Sequence, residues 1–313
     1  MKAENNQNPI SEQYFYDVNG WRLDSEISFK ELWSSDQSSK TPDITIRYGK
    51  VPEKLEGCVA RSVGFQVKPD HYILNIEGVG RFMATYGKNI CIEPCPGVEE
   101  KDFRMYITGS VFGAIAYQRG LLPMHASAIQ YGKGALLFAG DSGTGKSTTA
   151  ASFMIKNNKV LTDDLAVVYF DSDNQPILHP GMARLKLLAN VLTQMSISQN
   201  LNSVGSHIQK YILPLQQEGK PETTVITHLF LLKKSNEKEV SIRELKGKEK
   251  YYQSLNNVFR FRLMKGLGVK DKHFIRFSKF IECIRVYEVL RPINSKNKLG
   301  LSSYIEEVLK EEH

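Results

Sequence analysis

Eight consecutive residues, Gly140, Asp141, Ser142, Gly143, Thr144, Gly145, Lys146 and Ser147, follow the phosphate-binding pattern of glycine, four free positions, glycine, lysine and a hydroxyl residue. The apolar run Ala135-Leu136-Leu137-Phe138-Ala139 precedes them and a helix-forming stretch follows, which is the context this loop requires. Each residue type has a reason. Gly140, Gly143 and Gly145 let the backbone turn tightly and aim its N–H groups inward, where a Cβ would obstruct the approach of phosphate oxygens. The helix that begins here adds the positive end of its dipole. Lys146 offers a cation to the β- and γ-phosphates and Ser147 a hydroxyl to Mg2+, while Asp141, Ser142, Thr144 and Thr148 complete the binding segment. The motif, of the Walker A type, therefore predicts binding of ATP or a close relative together with magnesium.

Two further features can do chemistry. Asp163 and Asp164 follow Lys146 by only 17 positions, at the end of the next apolar run. One carboxylate can hold Mg2+, directly or through water, and the other can take the proton of an attacking hydroxyl; the pair by itself does not say which does which. An Asp-Asp pair is often a helix cap, but here it shares an edge with the loop. His125 precedes Gly140 by 15 residues, and a turn at 132–134 should fold its strand back against the strand that leads into the loop.

The elements needed to position these groups are legible. Strands are expected at 126–130 and 135–139, a helix at 147–156 and a strand at 160–162, a βαβ unit that implies a parallel sheet and an α/β class. Residues 165–170 and 176–179 read as an added hairpin, and 103–119 as a buried helix stopped by Gly120. Residues 182–219 are mixed, read as a helix followed by a polar loop around 199–209. Beyond them come strands at 223–233 and 240–245, helices at 247–265 and 270–284, a strand at 285–290 and a closing helix at 302–310. The organisation expected is a disordered tail at 1–12, a β-rich region at 13–100 and a P-loop catalytic domain with a parallel or mixed sheet at 101–313.

Composition narrows the class. A net charge of +7 favours anionic partners such as nucleotides or acidic peptides, but no basic run interleaved with aromatics argues for nucleic acid. Cys58, Cys91, Cys95 and Cys283 are too scattered for a disulfide framework, and Cys91 and Cys95 lack a second ligand pair to complete a zinc site. With no secretory signal and no run of about 18 apolar residues, the expectation is a soluble, cytoplasmic protein that contacts neither nucleic acid nor membrane.

The stretch from His125 to Asp164 resembles the catalytic domain of the HPr kinase/phosphorylase family, which has a histidine before a strand hairpin, GDSGxGKS, one helix and a strand ending in Asp-Asp. The segments HPG at 179–181, ARLKLL at 183–188, KYILPL at 210–215 and RVYEVLRP at 285–292 look more like its stand-alone relatives, among them the lasso-peptide kinases, which phosphorylate the terminal serine of a precursor peptide. The resemblance implies an HPr kinase-like core and transfer of the γ-phosphoryl of ATP to serine. It implies that one of Asp163 and Asp164 is the general base and the other the magnesium-side carboxylate, Asp163 being favoured as the base and Asp164 for magnesium, with His125 beside them and Lys146 spreading phosphoryl charge. The partner implied is a precursor peptide or small protein with an acceptor serine, with room for a homo-oligomer. Two departures direct the acceptor away from HPr. The family's glycine-rich segment is reduced to an echo at Lys265-Gly266-Leu267-Gly268, and Lys-Ser-Thr stands where the family has Lys-Ser-Glu. An HPr-directed enzyme and a nucleotide-dependent regulatory module without transfer are the alternatives.

Arg184, Lys210 and Arg260 are candidate clamps for a phosphoryl or peptide carboxylate, with Lys186 and Arg262 as further cations. Arg260 and Arg262 stand two apart on an expected helix and cannot share a face, so at most one should reach the site.

Overall fold

Short alternating runs broken by glycine turns give the first third of the chain its strands, because period-two patterning buries one face of a sheet. The structure, a computed structural model, describes residues 12–36, 41–62, 64–197, 201–203, 210–215, 219–293 and 300–312. Residues 1–11 of the expected tail and most of the expected polar loop at 199–209 lie outside them. The N-terminal strands are β1 (Tyr14–Val18), β2 (Trp21–Ser25), β3 (Trp33–Ser34), β4 (Ile44–Tyr48), β5 (Ala60–Ser62), β6 (Phe65–Lys68), β7 (His71–Ile76), β8 (Gly80–Thr85) and β9 (Asn89–Pro94). They form one sheet in the order β3-β1-β2-β4-β9-β8-β7-β6-β5.

A helical run follows, made of α1 (Glu100–Tyr106), a π-helical segment (Ile107–Val111) and α2 (Phe112–Gln118). It ends as expected, with Gly120 at φ 69° just beyond the last turn. The run buries Phe103, Ile107, Val111 and Phe112 in a core that also takes Trp21, Leu23 and Phe82 from the N-terminal sheet. Trp21 meets Phe112 edge to face at 5.9 Å, so the sheet and the run share one apolar layer.

The second sheet contains β10 (Leu122–Met124), β11 (Ala126–Tyr131), β12 (Gly134–Ala139), then after α3 (Lys146–Ile155) β13 (Val160–Thr162), β14 (Ala166–Phe170) and β15 (Pro176–Leu178). A separate hairpin pairs β16 (Arg184–Leu188) with β17 (Lys210–Pro214), with α4 (Ala189–Gln194) between them. The second sheet is completed by β18 (Thr224–Ser235), β19 (Ser241–Glu244) and β20 (Arg285–Pro292). The remaining helices are α5 (Gly247–Leu255), α6 (Leu263–Leu267), α7 (Lys270–Cys283) and α8 (Leu301–Glu311).

The fold is α/β with mixed sheets, and three expectations change. First, β12 and β13 run parallel but are not neighbours: β11 lies between them, antiparallel to both. Strand order within a βαβ unit is not set by its local pattern, and the turn at 132–134 had already placed β11 beside β12. Secondly, the segment at 183–188 is a strand, not a helix; its alternation buries Leu185 and Leu187 while Lys186 faces the other way. Thirdly, the expected helix at 247–265 breaks after Leu255, and Arg260 adopts a left-handed turn at φ 48°. The backbone leaves the helix there because Phe259 N–H bonds Pro123 O and the Tyr117 hydroxyl donates to Phe259 O.

α3 is fixed to the sheet by an aromatic stack. Phe153 lies 5.6 Å from Phe138, which lies 6.0 Å from Phe230, which lies 5.3 Å from Tyr287. Leu301, Ile305 and Leu309 of α8 join the same cluster. The helix that starts at the phosphate-binding loop therefore packs on β11, β12 and β16 and against α8, with Phe153 joining it to the aromatic stack that continues into β18 and β20.

A buried imidazole on α7 yields a pH prediction. His273 is 4% exposed, its Nε2 has no partner, and its ring lies 5.3 Å from Tyr117. Burial, aided by Arg276, pushes its pKa down to about 4. The unfolded chain then binds the proton first, so the folded state loses stability as pH falls from about 6.5 toward 4, by on the order of 3 kcal/mol. Chemical denaturation of wild type and His273→Phe across that window should show a shallower slope for the variant. Equal slopes would remove His273 as the cause.

Candidate functional site

The loop at 140–147 leaves β12 at the sheet edge where β18 and β20, parallel to it, also end. Ligands bind at such carboxyl edges because the helix N-termini and loop amides converge there. Gly140, Gly143 and Gly145 have φ of 140°, 80° and 109°, values that L side chains rarely adopt. A Cβ on Gly140 would stand 2.3 Å from Leu232 O, so this glycine is required by packing as well as by conformation. Lys146 is buried, and its Nζ donates to Gly140 O at 2.7 Å and Asp141 O at 3.1 Å. Burial pulls its pKa below the usual lysine range. Thr144 bonds within the loop, Oγ1 to Asp141 O at 2.8 Å.

Register brings the other groups to the loop. Ala126 pairs with Ala139, which sets His125 opposite Gly140, and Ala128 pairs with Thr162, which sets Asp163 opposite Ser127. Asp163 is 2% exposed and saturated with donors. Its Oδ1 accepts from Ser127 Oγ at 2.6 Å and Ser147 Oγ at 2.8 Å, and its Oδ2 from the Lys186 amide at 2.9 Å. Burial and the adjacent Asp164 push its pKa up, against those three hydrogen bonds.

Asp164 turns the other way. It has a φ of 71°, which swings the chain sharply between the two carboxylates. Its Oδ2 pairs with Lys186 Nζ at 2.5 Å. Burial alone would raise its pKa, but Lys186 and Arg184 outweigh it and hold the carboxyl below the ordinary range. Burial, with Arg184 beside it, likewise lowers the Lys186 ammonium. His125 Nδ1 donates to Asp164 O at 3.0 Å, which leaves Nε2 the unprotonated nitrogen of the neutral ring. Burial and Lys146 lower the His125 pKa, so the ring is neutral at pH 7.

A cleft of about 140 Å³ opens over the loop, lined by His125, Ser142, Gly143, Gly145, Lys146, Ser147, Thr148, Asp164, Lys186, Leu188, Val191, Lys210 and Arg291. Most of the residues singled out from the sequence meet here. Four do not line it in the way expected. Asp163 lies behind Ser147, whose hydroxyl bonds its Oδ1, and is not among the residues that line the cleft. Arg184 shares the β16 face of Lys186 but is buried at the start of the strand, its Nη2 on Thr108 Oγ1 and Met182 Sδ. Arg260 occupies the turn after α5, its guanidinium 5.8 Å from the Phe259 ring centre. Arg262 likewise lines no part of the cleft. Asp141 and Thr144 belong to the loop but not to the cleft wall.

Ser127 and Arg291 are additions that sequence reading missed. A serine in an apolar strand carries no local signal, whereas Arg291 ends an apolar run just before Pro292, a strand terminus at the functional edge of a parallel sheet.

The donor chemistry fits magnesium. Ser147 Oγ and Asp163 Oδ1 are two hard oxygen donors 2.8 Å apart at the foot of the loop. Magnesium takes one or two protein oxygens and fills its other positions with water and phosphate. Among the described residues no group of three or more His, Cys, Asp or Glu could hold a metal ion. Among them, too, no helix is long and apolar enough to cross a membrane.

No protein-family description matches the sequence, and no curated protein is similar to it. Among solved structures, the fold is similar to the Hpr(Ser) kinase/phosphatase from Coxiella burnetii, at 13% identity and a TM-score of 0.33, over 61% of this chain and 95% of that one.

Proposed function

We propose that this chain is an ATP-dependent kinase that transfers the γ-phosphoryl group to a serine hydroxyl of a peptide or small protein. One observation carries the reading: two adjacent carboxylates divide between the foot and the mouth of a phosphate-binding loop. Asp163 bonds Ser147 from behind, and Asp164 lines the cleft beside Lys146, Lys186 and His125. A module that only bound nucleotide would need the first carboxylate and not the second.

The roles follow from position. Loop amides and Lys146 hold the phosphates, and Ser147 with Asp163 would hold Mg2+, which neutralises charge between the β- and γ-phosphates when bound. Asp164 replaces Asp163 as the group facing the acceptor. The new bond joins the serine oxygen to phosphorus, the bond to the β-phosphate oxygen breaks, ADP leaves, and the serine proton passes to Asp164. The low basicity of Asp164 is no obstacle, because a hydroxyl becomes strongly acidic as its oxygen bonds phosphorus, so the carboxylate first orients it and takes the proton late. Lys186 offsets the charge of the dyad, and His125 fixes the Asp164 peptide through its carbonyl.

The terminal serine of a lasso precursor peptide is the acceptor favoured by the resemblance of residues 179–181, 183–188, 210–215 and 285–292. Peptides ending in serine, incubated with ATP and magnesium, should gain one phosphate by mass spectrometry, and their alanine-ended counterparts none. Phosphate on both peptides would move the acceptor away from the terminus. ATP binding without transfer to peptide or HPr would favour a regulatory module.

A further inference from the structure

We propose that Arg291 is a ligand of the nucleotide's phosphate chain, gripping it from the side of the loop opposite the carboxylates. This rests on the nucleotide reading above and adds a residue that neither the loop motif nor the dyad contains.

The topology delivers it. β18 and β20 run parallel, with Lys234 paired to Arg291, so both side chains leave the sheet at the edge where β12 enters the loop. A Cβ on Gly145 would lie 3.5 Å from both Cζ and Nη1 of Arg291, and one on Gly143 3.5 Å from Lys234 Nζ. Arg291 also lines the cleft. The guanidinium therefore stands against the glycine whose amide opens α3.

Its bonding is incomplete. Arg291 Nε is buried and has no acceptor among the described residues, a costly state for a charged donor. Of the other cleft cations, Lys186 holds Asp164 and Lys146 is bonded to two loop carbonyls, while Lys210 stands on the β17 side of the cleft. An orphan donor on a planar, permanently charged group beside converging amides matches the oxygens of a phosphate chain, which guanidinium binds in bidentate fashion. In the sheet, β20 with Arg291 lies on the β18 side of β12, whereas β13, which leads into Asp163 and Asp164, lies on the β11 side.

The test measures equilibrium binding of ATP and of inorganic tripolyphosphate to wild type, Arg291→Ala, Arg291→Lys and Lys146→Ala, with circular dichroism confirming the fold. Arg291→Ala is expected to weaken both probes by at least about 10-fold, with Arg291→Lys between it and wild type. Weaker ATP binding with tripolyphosphate unchanged would overturn the phosphate assignment. Unchanged ATP binding by Arg291→Ala, where Lys146→Ala has lost it, would overturn the inference and leave the nucleotide reading standing. Wild type that binds neither probe would remove both. Should Arg291→Ala fail to fold, Arg291→Lys decides: a charge-conserving variant that binds both probes as wild type does overturns the bidentate contact.

Discussion

Lys146→Ala is expected to lower phosphoryl transfer by about 10²- to 10³-fold, the usual loss when one preorganised donor to developing charge is removed. The residue is 7% exposed, and its ammonium is held by two carbonyls of its own loop, at 2.7 Å and 3.1 Å. Among the described residues it forms no ion pair with a carboxylate, so its charge is available to phosphate; neutral carbonyls exchange more readily for an anion than a paired carboxylate would. Steady-state transfer from radiolabelled ATP, with binding measured in parallel, checks this. Transfer within about threefold of wild type would show that Lys146 carries no part of the phosphoryl charge.

Asp164→Asn and Asp163→Asn should fail in different ways. Asp164→Asn removes the carboxylate that lines the cleft and should lower kcat by about 10²- to 10⁴-fold while ATP still binds, the range expected for loss of a positioned base. Asp163→Asn removes the charge behind Ser147, and its signature should be a rise in the magnesium concentration needed for half-maximal rate. An asparagine can still accept from the Lys186 amide and donate to the serine hydroxyls, so the buried site keeps its bonds and the fold survives. Magnesium titrations at saturating ATP separate the two. The reverse pattern, with Asp164→Asn shifting only the magnesium dependence, would return the base to Asp163.

The sequence made the loop, its helix and the Asp163-Asp164 pair legible because each is a local pattern, residue types at fixed spacing between an apolar strand and a helix. The hairpin that carries His125 was legible for the same reason, since glycines at 132 and 134 mark its turn. What stayed hidden is non-local. Lys186 reaches both carboxylates, yet its strand was read within a mixed segment, and nothing nearby marks a lysine whose partners stand 22 and 23 positions back. Arg291 is 146 positions after Gly145 and meets it only because β18 lies between their strands. Arg184 was a reasonable candidate by type and shares the β16 face of Lys186, but its guanidinium is taken up by Thr108 and Met182, so Lys186 alone of the two lines the cleft. Arg260 failed for a different reason. A hydrogen bond from the distant Tyr117 ended a helix that local propensity would have continued.

Lys186 touches the dyad through two different atoms, its amide on Asp163 and its ammonium on Asp164. Substituting the side chain severs one connection; displacing the β16–β17 hairpin severs both. The charge state of the two carboxylates is thus slaved to the position of a backbone, and that backbone continues to Leu188 and, across the pairing, to Lys210, both on the cleft wall. Any shift of this wall would reach the dyad as a change in proton affinity, because the bonds that set it are carried by the same strand.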